Sequence, residues 1–170
     1  MSRVRKLSLA GILIAVGVIC STFFIPIGVA KVFPIQHFIN VLAGVILGPV
    51  YGVCMAFITS LIRVISGTGS LLAFPGSMCG ALLSGILFKY SKSVIMAFLG
   101  EVVGTGMIGA VIAYPIATVF LNKTVAFYGF ILPFGISTLA GAGFSLVLIV
   151  TLRKMGILNK LLLEGDQYEL

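Results

Sequence analysis

Between residues 7 and 163 this chain carries a single carboxylate, Glu101, set among long apolar stretches that only Pro, Gly or a few cations interrupt. A soluble fold needs a solvated face, and ordinary soluble domains are about a quarter charged. Here 9% of 170 residues are charged and 60% are hydrophobic, with a mean hydropathy of +1.26. Such a composition makes an integral membrane protein. At about 20 residues per spanning helix, the length holds roughly five to seven helices and no domain outside the bilayer. No Gly is directly followed by Lys, so there is no phosphate-binding loop of the G-x-x-x-x-G-K-[ST] kind, and any ATP hydrolysis belongs to another chain.

The net charge of +7 would point to nucleic acid in a soluble protein. In this chain the cations sit at segment ends, so they report orientation, and no nucleic-acid partner is expected. Cys20, Cys54 and Cys79 lie inside apolar stretches and are odd in number, which reads as packing rather than as disulfides or metal ligands. The basic start, Arg3, Arg5 and Lys6, resembles a secretory signal, but no small-x-small site closes the following run and Ile19 precedes Cys20. It is expected to be a first spanning helix.

Apolar segments run over Leu7–Ile25, Phe38–Leu47, Val50–Ile65, Phe74–Phe88, Val94–Leu121 and Phe127–Leu152. Gly48-Pro49 either turns between two helices or kinks one long helix, and the charges decide. Six helices with the N-terminus inside place Arg3, Arg5, Lys6, Lys89, Lys92, Arg153, Lys154 and Lys160 on the cytoplasmic side against Lys31 and Lys123 outside. Five helices would erase that bias. The expectation is an all-α, six-helix transmembrane domain over residues 1–163 in a bacterial-type cell membrane. Both termini are cytoplasmic, and residues 164–170 form a short acidic tail. The second segment is too short to cross upright without residues from Gln36 onward.

With one His, one intramembrane acid and no Asp before Asp166, the chain lacks the clustered groups of an enzyme or a metal site, and no cofactor is expected. Glu101 would be costly if left ionised in hydrocarbon and requires a partner. By depth Arg63 is the candidate, roughly 20 Å up the third helix against roughly 12 Å for Glu101 on the fifth. Two readings are open: a polar pocket wall or proton relay, or a structural pair fixing two helices. Lys31, Phe33, Pro34, Gln36, His37 and Asn40 form the densest polar and aromatic cluster. Gln36 and Asn40 share a helical face, positioned to hydrogen-bond a small heterocycle covered by Phe33 and Phe38; alternatively, His37 and Gln36 simply sit at the wet interface.

The stretch from Ser66 to Ser77, with Thr68, Ser70 and Phe74, is Gly-rich and apolar. It is either a compact turn or a segment folded into the outer half of the bilayer, where irregular backbone must line a protein cavity. Tyr114, Phe134, Ser137 and Thr138 close the same cavity or serve ordinary packing. Gly67-Thr68-Gly69 and Gly104-Thr105-Gly106 do not constitute a repeat, because their offsets to the following Pro differ. Small residues four apart, Gly11/Ala15, Gly76/Gly80 and Gly100/Gly104, permit close helix contact. The first pair is on a helix with few polar residues, so it suits another membrane protein as well as internal packing.

Four stretches carry a resemblance: Lys31-Val32-Phe33-Pro34-Ile35-Gln36-His37, the run from Asn40 to Pro49, the run from Gly67 to Ser77, and Gly100-Glu101-Val102-Val103-Gly104-Thr105-Gly106. Over residues 7 to 155 the chain resembles the substrate-binding S components of energy-coupling factor (ECF) transporters, of the ThiW type assigned to the thiazole precursor of thiamin. The resemblance implies a six-helix subunit that captures a vitamin precursor from outside and docks on a transmembrane coupling protein with two ATPases. It implies a pocket lined by loops one and three with helices four to six, in agreement with the cluster above; the candidate binding residues are Phe33, Gln36, His37, Asn40, Arg63, Thr68, Ser70, Phe74, Glu101, Tyr114 and Ser137. It also implies docking through an Ala-x-x-x-Ala surface on helix one, matched here by Gly11 and Ala15. A neutral hydroxyethyl-methylthiazole suits these groups, whereas a phosphorylated ligand wants more cations than Lys31 and Arg63. Thiamin or its pyrimidine half remain alternatives, as does a stand-alone proton-coupled transporter using Glu101.

Overall fold

The computed structural model describes residues 2–27 and 30–159, so Lys160 and the acidic tail lie outside the described residues. The helices are α1 (Arg3–Ile19), α2 (Pro34–Ile46), α3 (Pro49–Ile65), α4 (Ala73–Ser91), α5 (Val94–Val103), α6 (Ala110–Pro115) and α7 (Ile131–Lys154). π-Helical turns at Gly104–Gly109 and Ile116–Phe120 join α5 and α6 into one rod, Val94–Phe120, over the expected fifth segment. Among the described residues, three helical stretches are long and apolar enough to cross a membrane, Arg3–Thr22, Val94–Phe120 and Ile131–Lys154, with shorter apolar helices at Pro34–Ile46 and Pro49–Ile65.

Local chemistry sets the breaks. Gly48 has φ +87, a conformation that side chains resist, and Pro49 occupies the first turn of α3, where its missing N–H costs nothing. Gly48-Pro49 therefore ends one helix and starts the next. α2 likewise opens on Pro34, which brings Gln36 and His37 into the helix as its shortness required. One feature departs from a wholly helical chain: β1 (Ile25–Ile27) pairs antiparallel with β2 (Ala30–Val32), Pro26 opposite Lys31. Apolar segment length carries no signal for three-residue strands.

The distribution of side chains is that of a protein in lipid. Phe144 and Val147 on α7 are 70% and 68% exposed, whereas Gln36, His37, Asn40, Arg63, Glu101 and Thr105 are buried. Hydrocarbon solvates the apolar exterior, and polar groups must find partners inside. α4 lies at the centre of the bundle against α2, α3 and α5. Its approach to α5 depends on glycine: a Cβ at Gly104 would fall 2.6 Å from the Cys79 carbonyl oxygen, and one at Gly100 2.7 Å from that of Leu83. The Gly76/Gly80 and Gly100/Gly104 pairs thus serve internal packing. Gly11 differs, since a Cβ there would meet nothing within 4 Å, and both Gly11 and Ala15 are exposed.

Candidate functional site

At the end of the bundle where α3 finishes and α2, α4 and α7 begin, a cavity of about 330 Å³ opens. That is the small end of the range of ligand pockets, about 300–1,000 Å³. Among the expected residues, Phe33, Gln36, His37, Arg63, Ser70 and Ser137 line it. Phe33 is held in place by its backbone N–H, which donates to the Ser137 hydroxyl at 3.0 Å and so ties the start of α2 to α7.

Below the cavity the polar side chains form one connected network. Glu101 Oε1 accepts from Asn40 Nδ2 at 3.0 Å and Thr105 Oγ1 at 3.0 Å, and lies 2.8 Å from His37 Nδ1. An ionised carboxylate can only accept, which assigns the proton to Nδ1. In neutral His37 the free nitrogen, Nε2, is then an acceptor available to the cavity that this ring lines. Asn40 Nδ2 also donates to the Ser77 carbonyl at 3.2 Å. Asn40 and Glu101 are thus beneath the cavity, not on its wall: Glu101 positions His37 and Thr105, which are on it, and Asn40 holds Glu101.

Arg63 does not pair with Glu101. Its Nη1 donates to Gln36 Oε1 at 3.0 Å, Gln36 Nε2 donates to Asn40 Oδ1 at 3.3 Å, and Asn40 passes the chain to Glu101. Cation and anion are linked through two aligned amides. The guanidinium lies over the Phe33 ring, 4.0 Å from its centroid, a cation–π contact that fixes its plane. The loop after α3 wraps this residue: Thr68 and Gly69 N–H groups both donate to the Arg63 carbonyl at 2.9 Å. Gly67 supplies the positive φ of +74 for that turn, and a Cβ at Gly69 would come within 2.9 Å of Arg63 Cβ.

Three expected residues turn away. Thr68 hydrogen-bonds Ser21 at 2.9 Å, Phe74 packs on Phe57 and Tyr114 on Phe127. Phe38, expected over the ligand, packs among α1, α2 and α3 instead. Phe134 lines the cavity as expected, and the cavity also gains Thr105, Ser77 and Lys123. Thr105 was detectable as the residue one helical turn beyond Glu101. With Lys123, three cations line the cavity rather than two.

A family model described as Thiamine-precursor transporter protein (ThiW) matches residues 7–155. No curated protein matches the chain, and no solved structure matches it.

Proposed function

Because the chain belongs to the ThiW family of thiamine-precursor transporters, a family of transporters rather than enzymes, we propose that it is the substrate-capture subunit of an ATP-driven ECF importer. Its ligand in this reading is the thiazole precursor hydroxyethyl-methylthiazole, taken from outside a bacterial-type cell membrane. The observation that carries the reading is the cavity itself, a small chamber with an aromatic wall at Phe33 and Phe134 over His37, Gln36 and Thr105. A thiazole ring has a face to cover and a ring nitrogen and hydroxyl to hydrogen-bond. Residues 1–163 then form one domain with six spanning segments and cytoplasmic ends, the cavity opening outward beside Lys31 and Lys123.

Calorimetric titration of the detergent-solubilised protein with hydroxyethyl-methylthiazole, with thiamin and the pyrimidine precursor as competitors, tests the reading. One-to-one binding without any partner chain is the expected outcome. His37→Ala and Asn40→Ala are each expected to weaken it about tenfold, near 1.4 kcal/mol. His37→Ala removes a direct contact, and Asn40→Ala removes the group that holds Glu101, which positions His37. Unchanged affinity in both variants would remove the ligand from this cavity.

Docking is assigned to α1, where Gly11 and Ala15 leave an exposed surface of small side chains. Gly11→Leu is expected to lower uptake in cells at least tenfold while leaving affinity in detergent at the wild-type value. Equal loss of both would refute the assignment to α1. The His37–Glu101 contact also favours a second reading, stand-alone transport coupled to protons. That reading requires uptake that persists without ATPase subunits and collapses with the proton gradient.

A further inference from the structure

We propose that the cavity recognises an anionic group on its ligand, a carboxylate or a phosphate ester, with Arg63 as its receptor and Lys31 and Lys123 beside it. This rests on the reading of the cavity as the ligand site, and it puts an anionic thiazole ahead of the neutral alcohol as the preferred ligand.

Arg63 is 1% exposed, yet its side chain has one acceptor among the described residues, the neutral amide oxygen of Gln36. Its Nε and Nη2 have no hydrogen-bond partner there. A buried cation needs both a countercharge and acceptors for its remaining N–H groups. Glu101, the one carboxylate among the described residues, supplies neither directly: its Oε1 receives His37, Asn40 and Thr105, and its Oε2 is buried without a partner rather than turned to Arg63. The amide chain through Gln36 and Asn40 couples the two charges without saturating the guanidinium. Phe33 holds the guanidinium from one face, and Arg63 is among the residues that line the cavity.

Lys31 and Lys123, the other charged groups on the wall, have the same sign. Lys31 is held over the Phe24 ring at 4.2 Å, not by an acid. Three cations around a cavity with no carboxylate among the described residues of its wall make a field that favours an anion. Guanidinium edges bind carboxylate and phosphate oxygens in pairs, so one ligand group can satisfy both free donors of Arg63. A neutral alcohol brings acceptor lone pairs but no countercharge for the buried cation.

The test compares four probes on the full-length protein in detergent at fixed ionic strength: hydroxyethyl-methylthiazole, its phosphate monoester, methylthiazole acetic acid and inorganic phosphate. At least one anionic thiazole is expected to bind ten or more times tighter than the alcohol. That preference should shrink with added salt, fall in Lys123→Ala and vanish in Arg63→Gln. Wild-type protein alone decides the matter if Arg63→Gln does not fold. An alcohol that binds as tightly as both anionic thiazoles overturns the anion site and leaves the capture reading intact. Inorganic phosphate binding without any thiazole keeps the anion site and removes the thiazole. Folded protein that binds none of the four overturns both.

Discussion

Glu101→Leu is expected to abolish recovery of folded protein, the largest effect of any single substitution in this chain. One oxygen of Glu101 receives His37, Asn40 and Thr105, from α2 and from the next turn of its own helical rod. Leucine fills the space but accepts nothing, so His37 Nδ1 and one N–H of Asn40 lose their acceptor at about 1–3 kcal/mol each, while the Thr105 hydroxyl keeps the Gly76 carbonyl at 2.8 Å. That loss takes a large share of the whole stability of a small domain, about 5–15 kcal/mol. Size-exclusion profiles after graded heating in detergent provide the measurement. Glu101→Gln keeps one acceptor oxygen and is expected to fold at reduced stability. The new amide can donate to His37 Nδ1 and so reverse the ring's donor and acceptor. A Glu101→Gln protein that folds and binds as wild type would make the acid purely structural, and a heat-stable Glu101→Leu would show that cavity water replaces the carboxylate.

The second large effect is expected at Gly104, where the change is steric rather than polar. Any Cβ there falls 2.6 Å from the Cys79 carbonyl oxygen and 2.8 Å from Gly80 Cα, both on the neighbouring helix backbone. Backbone cannot rotate aside as a side chain does, so Gly104→Leu must push α4 and α5 apart. Overpacking costs about 1–3 kcal/mol in ordinary cores, and rigid neighbours on both sides raise it. The same displacement stretches the 2.8 Å bond from Thr105 to the Gly76 carbonyl. We expect helical circular dichroism near the wild-type value with ligand binding lost by at least a hundredfold. Retained affinity would mean that the cavity tolerates movement of its own floor.

What the sequence made legible was one-dimensional. Segment ends, the Gly48-Pro49 break and the shared face of Gln36 and Asn40 all depend on spacing along the chain, and each has a local physical cause. The identity of Glu101's partners was not legible. Height counting brings Arg63 and Glu101 to similar depth, but it says nothing about where each points around its helix axis. His37, 64 residues away, turned out to face the acid. The same limit explains why Tyr114 and Phe74, at suitable depths, pack elsewhere, and why Thr68 belongs to a turn. Gly67-Thr68-Gly69 and Gly104-Thr105-Gly106 show it most plainly. The first tripeptide folds a loop over Arg63, and the second lets two helices touch.

Beneath the Glu101 layer, toward the opposite end of the bundle, Val41, Val45, Phe88, Ala97, Ala142 and Ile149 close ranks in a fully buried apolar cluster. The protein is therefore a cup, not a pipe. A polar solute resting above that plug has no continuous wet route along the axis, and threading it through would mean dissolving it in a layer as dry as the lipid outside. Delivery to the far side must come from motion of the vessel or of its wall.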